Sequence, residues 1–164
     1  MTVPVGMADA SVQEEFDHWL ERVGATYQAV RYTCQYRLGG DAEAAGHVAV
    51  QVIAGLLSRP SVFRYFGLPY SGRIARLAET RLAEAGAGQL ARVCDWPRLW
   101  ERVASMPEEH REVLVATCVR GADTATLAST LGCSQDAAAA RHAATLRFML
   151  ELAAPGVADP TTEP

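Results

Sequence analysis

From Ser134 to Arg147 the chain strings together side chains that can meet a nucleic acid. Arg141, His142 and Arg147 can donate to phosphates or to acceptor atoms on base edges. Ser134 and Gln135 can hydrogen-bond, and Ala137 and Ala138 offer methyl groups that can touch thymine methyls. In a second cluster, Arg59 and Arg64 are interleaved with Phe63, Tyr65, Phe66 and Tyr70. Aromatic rings stack on any unpaired base while guanidinium groups hold the phosphates; core and loop packing of the same rings is the equal alternative. No Ser-His-Asp set, paired carboxylates or phosphate-cradling glycine loop is identifiable, so no enzyme chemistry is expected. Cys34, Cys94, Cys118 and Cys133 lack paired spacing, and the four His do not supply it. Neither a metal site nor a cofactor is expected. Cys118 and Cys133 fall on apolar positions of a helical pattern and read as small buried side chains.

The stretch that must position the first cluster runs from Met106 to Leu152. A helix carrying Val113, Leu114 and Thr117 breaks at Gly121, and a new one starts at Asp123. It bears Leu127, Ala128 and Leu131 and stops at Gly132, after which Ser134 opens a third helix running to about Leu152. Asp123 and Ser134 can accept from free amides at a helix start, and Gly121 and Gly132 suit a left-handed turn. Two helices joined by a tight glycine-containing turn form the helix-turn-helix pattern, in which the second helix enters the major groove. The alanine run from Ala137 to Ala140 is equally a good helix former that holds a bundle together.

Upstream, residues 1–15 are expected to lie outside the folded domain as a flexible tail, frayed over 1–10, with Ser11 and Glu14 at capping-box spacing opening the first helix at Ser11. Phe16, Trp19, Leu20 and Val23 stripe a helix ending near Gly24, and a second helix from Ala25 to Arg37 carries Tyr27, Val30 and Cys34. Gly39 and Gly40 end it, and Asp41 caps a third, Ala42 to Leu57, so apolar that it must be buried or lie under a partner. A turn-rich segment, Ser58 to Tyr70, precedes a helix containing Arg73 and Arg76; these two arginines are either solvated or, for Arg76, paired with Glu79. Residues 83–95, with Gly86 and Gly88, read as a linker reaching at most ~45 Å. A helix from Trp96 to Ala104 follows, with Pro97 in its first turn. Residues 154–164, rich in Pro and polar groups, read as a disordered tail. No strand is expected. The fold class is all-α, with two small helical domains at 16–82 and 96–153.

Composition limits the partners. Of 164 residues, 49% are hydrophobic and 21% charged, as in a globular chain. A net charge of −4 gives no bulk attraction to nucleic acid or anionic membrane. Residues 16–82 carry 8 Arg against 5 acids, a net of +3, and residues 96–153 carry 6 Arg against 7 acids, a net of −1. No apolar run approaches the ~18 residues of a membrane span, and the N-terminus lacks the pattern of a signal peptide. A cytoplasmic location without membrane contact is the expectation.

The motifs together resemble bacterial RNA polymerase sigma factors of the extracytoplasmic-function type. Met106-Pro107-Glu108-Glu109-His110-Arg111 is similar to the phrase that opens the family's C-terminal domain. Gly121, Asp123, Leu127, Ala128, Leu131, Gly132 and Ser134 follow in register, then Arg141 and Leu146-Arg147. Ala139 and Ala144 stand where the family often has basic residues. In the N-terminal half, Gly40, Asp41 and Ala45 match the phrase leading into the helix that docks on the polymerase. Gly46 and His47 replace its acidic pair, and Val50 and Gln51 the residues that follow. Arg73-Ile74-Ala75-Arg76 matches the helix that reads the melted promoter element, with Tyr70-Ser71 before it and Leu77 after.

The resemblance covers roughly Phe16 to Leu152. It implies that Asp41, His47, Val50 and Gln51 lie on a polymerase-binding surface. It also implies that Arg73 and Arg76 join Arg59, Arg64 and Tyr70 as N-terminal DNA contacts. Core RNA polymerase and promoter DNA are then the expected partners. Two other readings stay open: a sigma-like protein that acts through an anti-sigma or other regulatory partner without reading promoters, and a helical sensor or scaffold for a small molecule.

Overall fold

In the computed structural model, which describes residues 5–64 and 72–155, every regular element among the described residues is helical. The buried stripe Phe16, Trp19, Val23, Tyr27, Val30 and Cys34 keeps helical spacing without interruption. It belongs to one helix, α1 (Val5–Arg37), and not to two. The break expected at Gly24 does not occur, and the reason is packing. A Cβ at Gly24 would come within 3.1 Å of the Trp100 ring, so glycine here admits a neighbouring tryptophan. It does so at a helix-propensity cost of about 1 kcal/mol relative to alanine. The expected tail is also corrected, because residues 5–15 are the first turns of α1. Gln13 accepts from Arg111 Nη1 at 2.7 Å and Glu15 pairs with Arg120 at 2.7 Å, which ties this end to the C-terminal half.

Gly39 and Gly40, at φ 66° and 91°, reverse the chain into α2 (Ala42–Leu57). Asp41 caps α2 by accepting from the Ala44 amide at 3.1 Å. Most of α2 is buried, as its composition requires. A short 3-10 turn, Pro60–Arg64, follows, held by Trp19 Nε1 donating to the Pro60 carbonyl at 3.1 Å. Next, α3 (Gly72–Gly86) crosses α2 where Gly55 allows Leu77 to approach to 3.0 Å of a would-be Cβ. Residues 83–86, assigned above to the linker, are the end of α3, and Gly88 turns the chain at φ 69°.

Asp95 caps α4 (Trp96–Ala104) through the Arg98 amide at 3.0 Å. Then α5 (Glu108–Leu114) continues as a wider π-type turn, Val115–Val119, before Gly121 reverses the chain at φ 71°. The last two helices are α6 (Thr124–Leu131) and α7 (Gln135–Glu151).

Burial does not divide at residues 83–95. One core contains Phe16, Trp19, Val48 and Ile53 from the first half together with Leu99, Val103, Leu114, Met149 and Leu152 from the second. A smaller cluster, Val113, Ala116, Leu127, Ala128 and Ala138, seats α6 and α7 against α5 and its π-type continuation. Residues 154 and 155 continue from α7, and the rest of the expected tail, 156–164, lies outside the described residues.

Candidate functional site

The turn between α6 and α7 follows directly from its residues. Asp123 accepts from the Thr126 amide at 2.8 Å, and that bond holds its carboxyl below the usual carboxylate range. Gly132 ends α6 in the left-handed region at φ 68°. Ser134 Oγ accepts from the Ala137 amide at 3.1 Å and starts α7. His110 Nδ1 lies 2.9 Å from the hydroxyl of the buried Thr145, and its ring stacks on Phe148 at 4.4 Å, so α5 fixes the middle of α7. The α6–turn–α7 unit is thus capped at both helix starts and pinned to α5.

The face that α7 presents is sparse in contact chemistry. Ser134, Gln135 and Ala137 are exposed at its N-terminal turn, next to Asp136. Ala138 is fully buried in the cluster beneath and cannot touch a base edge, which corrects its place among the DNA contacts. The reason is helical period: positions 138, 145 and 149 form the inward stripe of α7. Arg141 is half-buried, 3.9 Å from the Glu112 carboxylate and 3.5 Å from the Glu109 carbonyl, so its charge is turned towards its own domain. His142 is half-buried and Arg147 exposed. Between them the outer surface shows Ala139, Ala140, Ala143 and Ala144.

In the N-terminal half, Arg59 and Arg76 are exposed. The side chains of Arg64 and Arg73, and all of Tyr70, Tyr65 and Phe66, lie outside the described residues. Phe63 is buried edge-on to Trp19 at 5.8 Å, a core ring and not a stacking platform. Glu79 pairs with Arg37 and not with Arg76, and that pairing holds its carboxyl below the usual range.

The residues assigned to polymerase docking separate into two pairs. Asp41 and His47 are exposed, though one oxygen of Asp41 is engaged as the cap of α2. Val50 and Gln51 are buried and not at the surface as expected, for a definite cause: the chain's own segment 90–95 crosses over them, and Gln51 Nε2 donates to the Ala91 carbonyl. A cavity of about 430 Å³ remains between this segment and α2, lined by His47, Val50, Gln51, Leu90, Arg92 and Cys94 among others.

Sequence reading missed what holds this crossing in place. Trp96 stacks flat on Tyr27 at 3.8 Å and 4°. Trp100 rests against Gly24. The only signal was the presence of two tryptophans one helical turn apart beside a segment read as a linker. Tyr32 and Tyr36 were also missed as surface features. They stand 78% and 84% exposed on α1, turned away from its buried stripe.

Among the described residues, no helix is long and apolar enough to cross a membrane. Comparison with protein-family models, with curated proteins and with solved structures finds no match to the chain.

Proposed function

We propose that the chain is a sigma-factor-like regulator of bacterial transcription initiation, with core RNA polymerase and promoter DNA as its partners. One observation carries this reading: the capped α6–turn–α7 unit, with Ser134, Gln135 and Ala137 open at the start of α7, occurs in the stretch whose motifs resemble the family. A helix presented by its N-terminal turn is the arrangement that enters a major groove. Affinity for DNA comes mainly from phosphate neutralisation. With Ala138 buried, Arg141 turned to Glu112 and Arg147 exposed, DNA binding by the free protein is weak. Polymerase must then supply most of the affinity.

Transcription from a genomic fragment library with purified core polymerase tests the proposal. A start-specific transcript that depends on the chain supports it, and no transcript from any fragment overturns it. The salt dependence of duplex binding gives an independent measure. With one or two phosphate contacts, log affinity should fall against log salt with a slope of roughly −1 to −2.

A second reading, regulation through an anti-sigma or other protein partner without promoter recognition, is favoured by the burial of Val50 and Gln51 under residues 90–95. Stoichiometric capture of a regulatory protein, with neither polymerase nor DNA binding, is the outcome that selects it.

A further inference from the structure

We propose that residues 90–95 act as a latch, closing over α2 and withholding Val50 and Gln51 from polymerase, with Trp96 and Trp100 as the anchor that keeps it shut. This inference rests on the sigma-factor-like reading and adds regulation to its docking surface.

The latch is held by Cys94 in the core, by Leu90 and Val93 packed against that core, and by a few hydrogen bonds. Near its start, the Ala91 carbonyl accepts from Gln51. Towards its end, the Cys94 amide donates to the Ala153 carbonyl at 3.2 Å, and the Cys94 thiol lies 3.9 Å from the Leu152 carbonyl. Arg102 of α4 donates to the carbonyls of Leu152 and Ala154 at 2.8 and 3.0 Å, so the end of α7 is clamped beside the latch. Directly after the latch, Trp96 stacks on Tyr27 and Trp100 fills the notch left by Gly24. Under this cover Val50 is 3% exposed and Gln51 5%.

Three features make the segment able to open without unfolding the chain. It belongs to neither a helix nor a strand, so lifting it breaks no repeating ladder. Ala91 and Arg92 face solvent. A cleft of about 430 Å³, partly open to solvent, separates part of it from α2, so its contact with that helix is incomplete. Irregular segments with solvent-exposed backbone open at a lower free energy than the whole fold. A partner that needs the covered face binds with an affinity reduced by the fraction of molecules that are open. The residues conferring docking and the residues that cover them are thus in one chain, and the equilibrium between them sets the apparent affinity for polymerase.

The chain carries its own reporters for this motion. Cys94 lies in the latch, whereas Cys34 lies in α1 and Cys118 in the π-type turn after α5, all three buried. The test follows thiol labelling of the full chain by peptide mass spectrometry, for wild type, Trp96→Ala and the milder Trp96→Phe, alongside binding to purified core polymerase. The latch predicts that Trp96→Ala labels Cys94 at least roughly tenfold faster, equal to about 1.4 kcal/mol, while Cys34 and Cys118 stay protected. Affinity for core polymerase rises with it, and polymerase-bound wild type labels Cys94 at the fast rate. Cys94 labelling unchanged by Trp96→Ala would falsify the latch. So would all three thiols rising together in both variants, since that means one cooperative unit. An opened Cys94 with polymerase affinity equal to wild type overturns the coupling. An opened Cys94 with no polymerase binding by any variant leaves the motion standing, rejects its role in docking, and counts against the functional reading itself.

Discussion

Asp123 caps the start of α6 with its carboxylate, and the chemistry of that cap makes it sensitive to acid. The Thr126 amide stabilises the ionised carboxylate, so the folded-state value lies below the ordinary one near ~3.9. A depressed carboxylate contributes stability that is complete above the unfolded-state value and disappears as pH falls through the folded value. Asp123→Asn keeps an oxygen that can cap but does not titrate. Urea midpoints of wild type and Asp123→Asn should therefore converge as pH is lowered below that range, and a difference that stays constant with pH would reject the assignment. Ala138 is the second residue whose identity is decided by its surroundings. Ala138→Leu must force extra volume into the cluster of Val113, Ala116, Leu127 and Ala128, and should cost about 1–3 kcal/mol. Ala139→Leu, one position on and exposed, should stay within about 0.5 kcal/mol. Equal losses in denaturant unfolding would show that the inward stripe of α7 is misplaced.

At the scale of elements, the C-terminal helices were legible because their signals are local. Asp123, Gly132 and Ser134 each act on neighbours within a few residues, and all three perform the capping or turning role expected of their types. Ser134→Ala should cost about 1 kcal/mol through the lost cap, and Gly132→Ala about 1–2 kcal/mol from a left-handed backbone. Thermal unfolding would reveal both, and no shift in either variant would count against the observed turn. The end of the first helix was misread for the opposite reason. Gly24 looks like a terminator when only its neighbours are considered, but its role is set by Trp100, which arrives from α4. The same holds for Val50 and Gln51. Helical spacing places them on α2, but the segment that covers them comes from 90–95 and only the fold brings it there.

For the whole molecule, the main consequence is the shared core. Phe16, Trp19 and Ile53 belong to the same cluster as Leu99, Leu114, Met149 and Leu152, and Arg111 and Arg120 bond to Gln13 and Glu15 across the two halves. The chain should unfold in a single transition, with fluorescence and far-ultraviolet circular dichroism coincident in urea. Residues 96–155 alone would leave Leu99, Val103 and Leu152 without their partners from α1 and α2. That fragment should bind a hydrophobic dye and melt without a sharp transition. Two separated transitions in the full chain, or a cooperative melt of the fragment, would show that the halves are independent.

The amino-acid order by itself determined the all-helical character, most helix boundaries, the caps and the burial of α2, because each depends on periodicity or on contacts within one turn. It also supplied the motif resemblance on which the proposed function rests. Tertiary structure alone decided the continuity of α1 through Gly24, the burial of Ala138, the pairing of Arg141 with Glu112 and the covering of Gln51 by Ala91. Each of these joins residues distant in sequence or assigns a face to a helix whose outward side is richer in alanine than its inward side. Spacing cannot distinguish such faces, and only the neighbour that packs against one of them does.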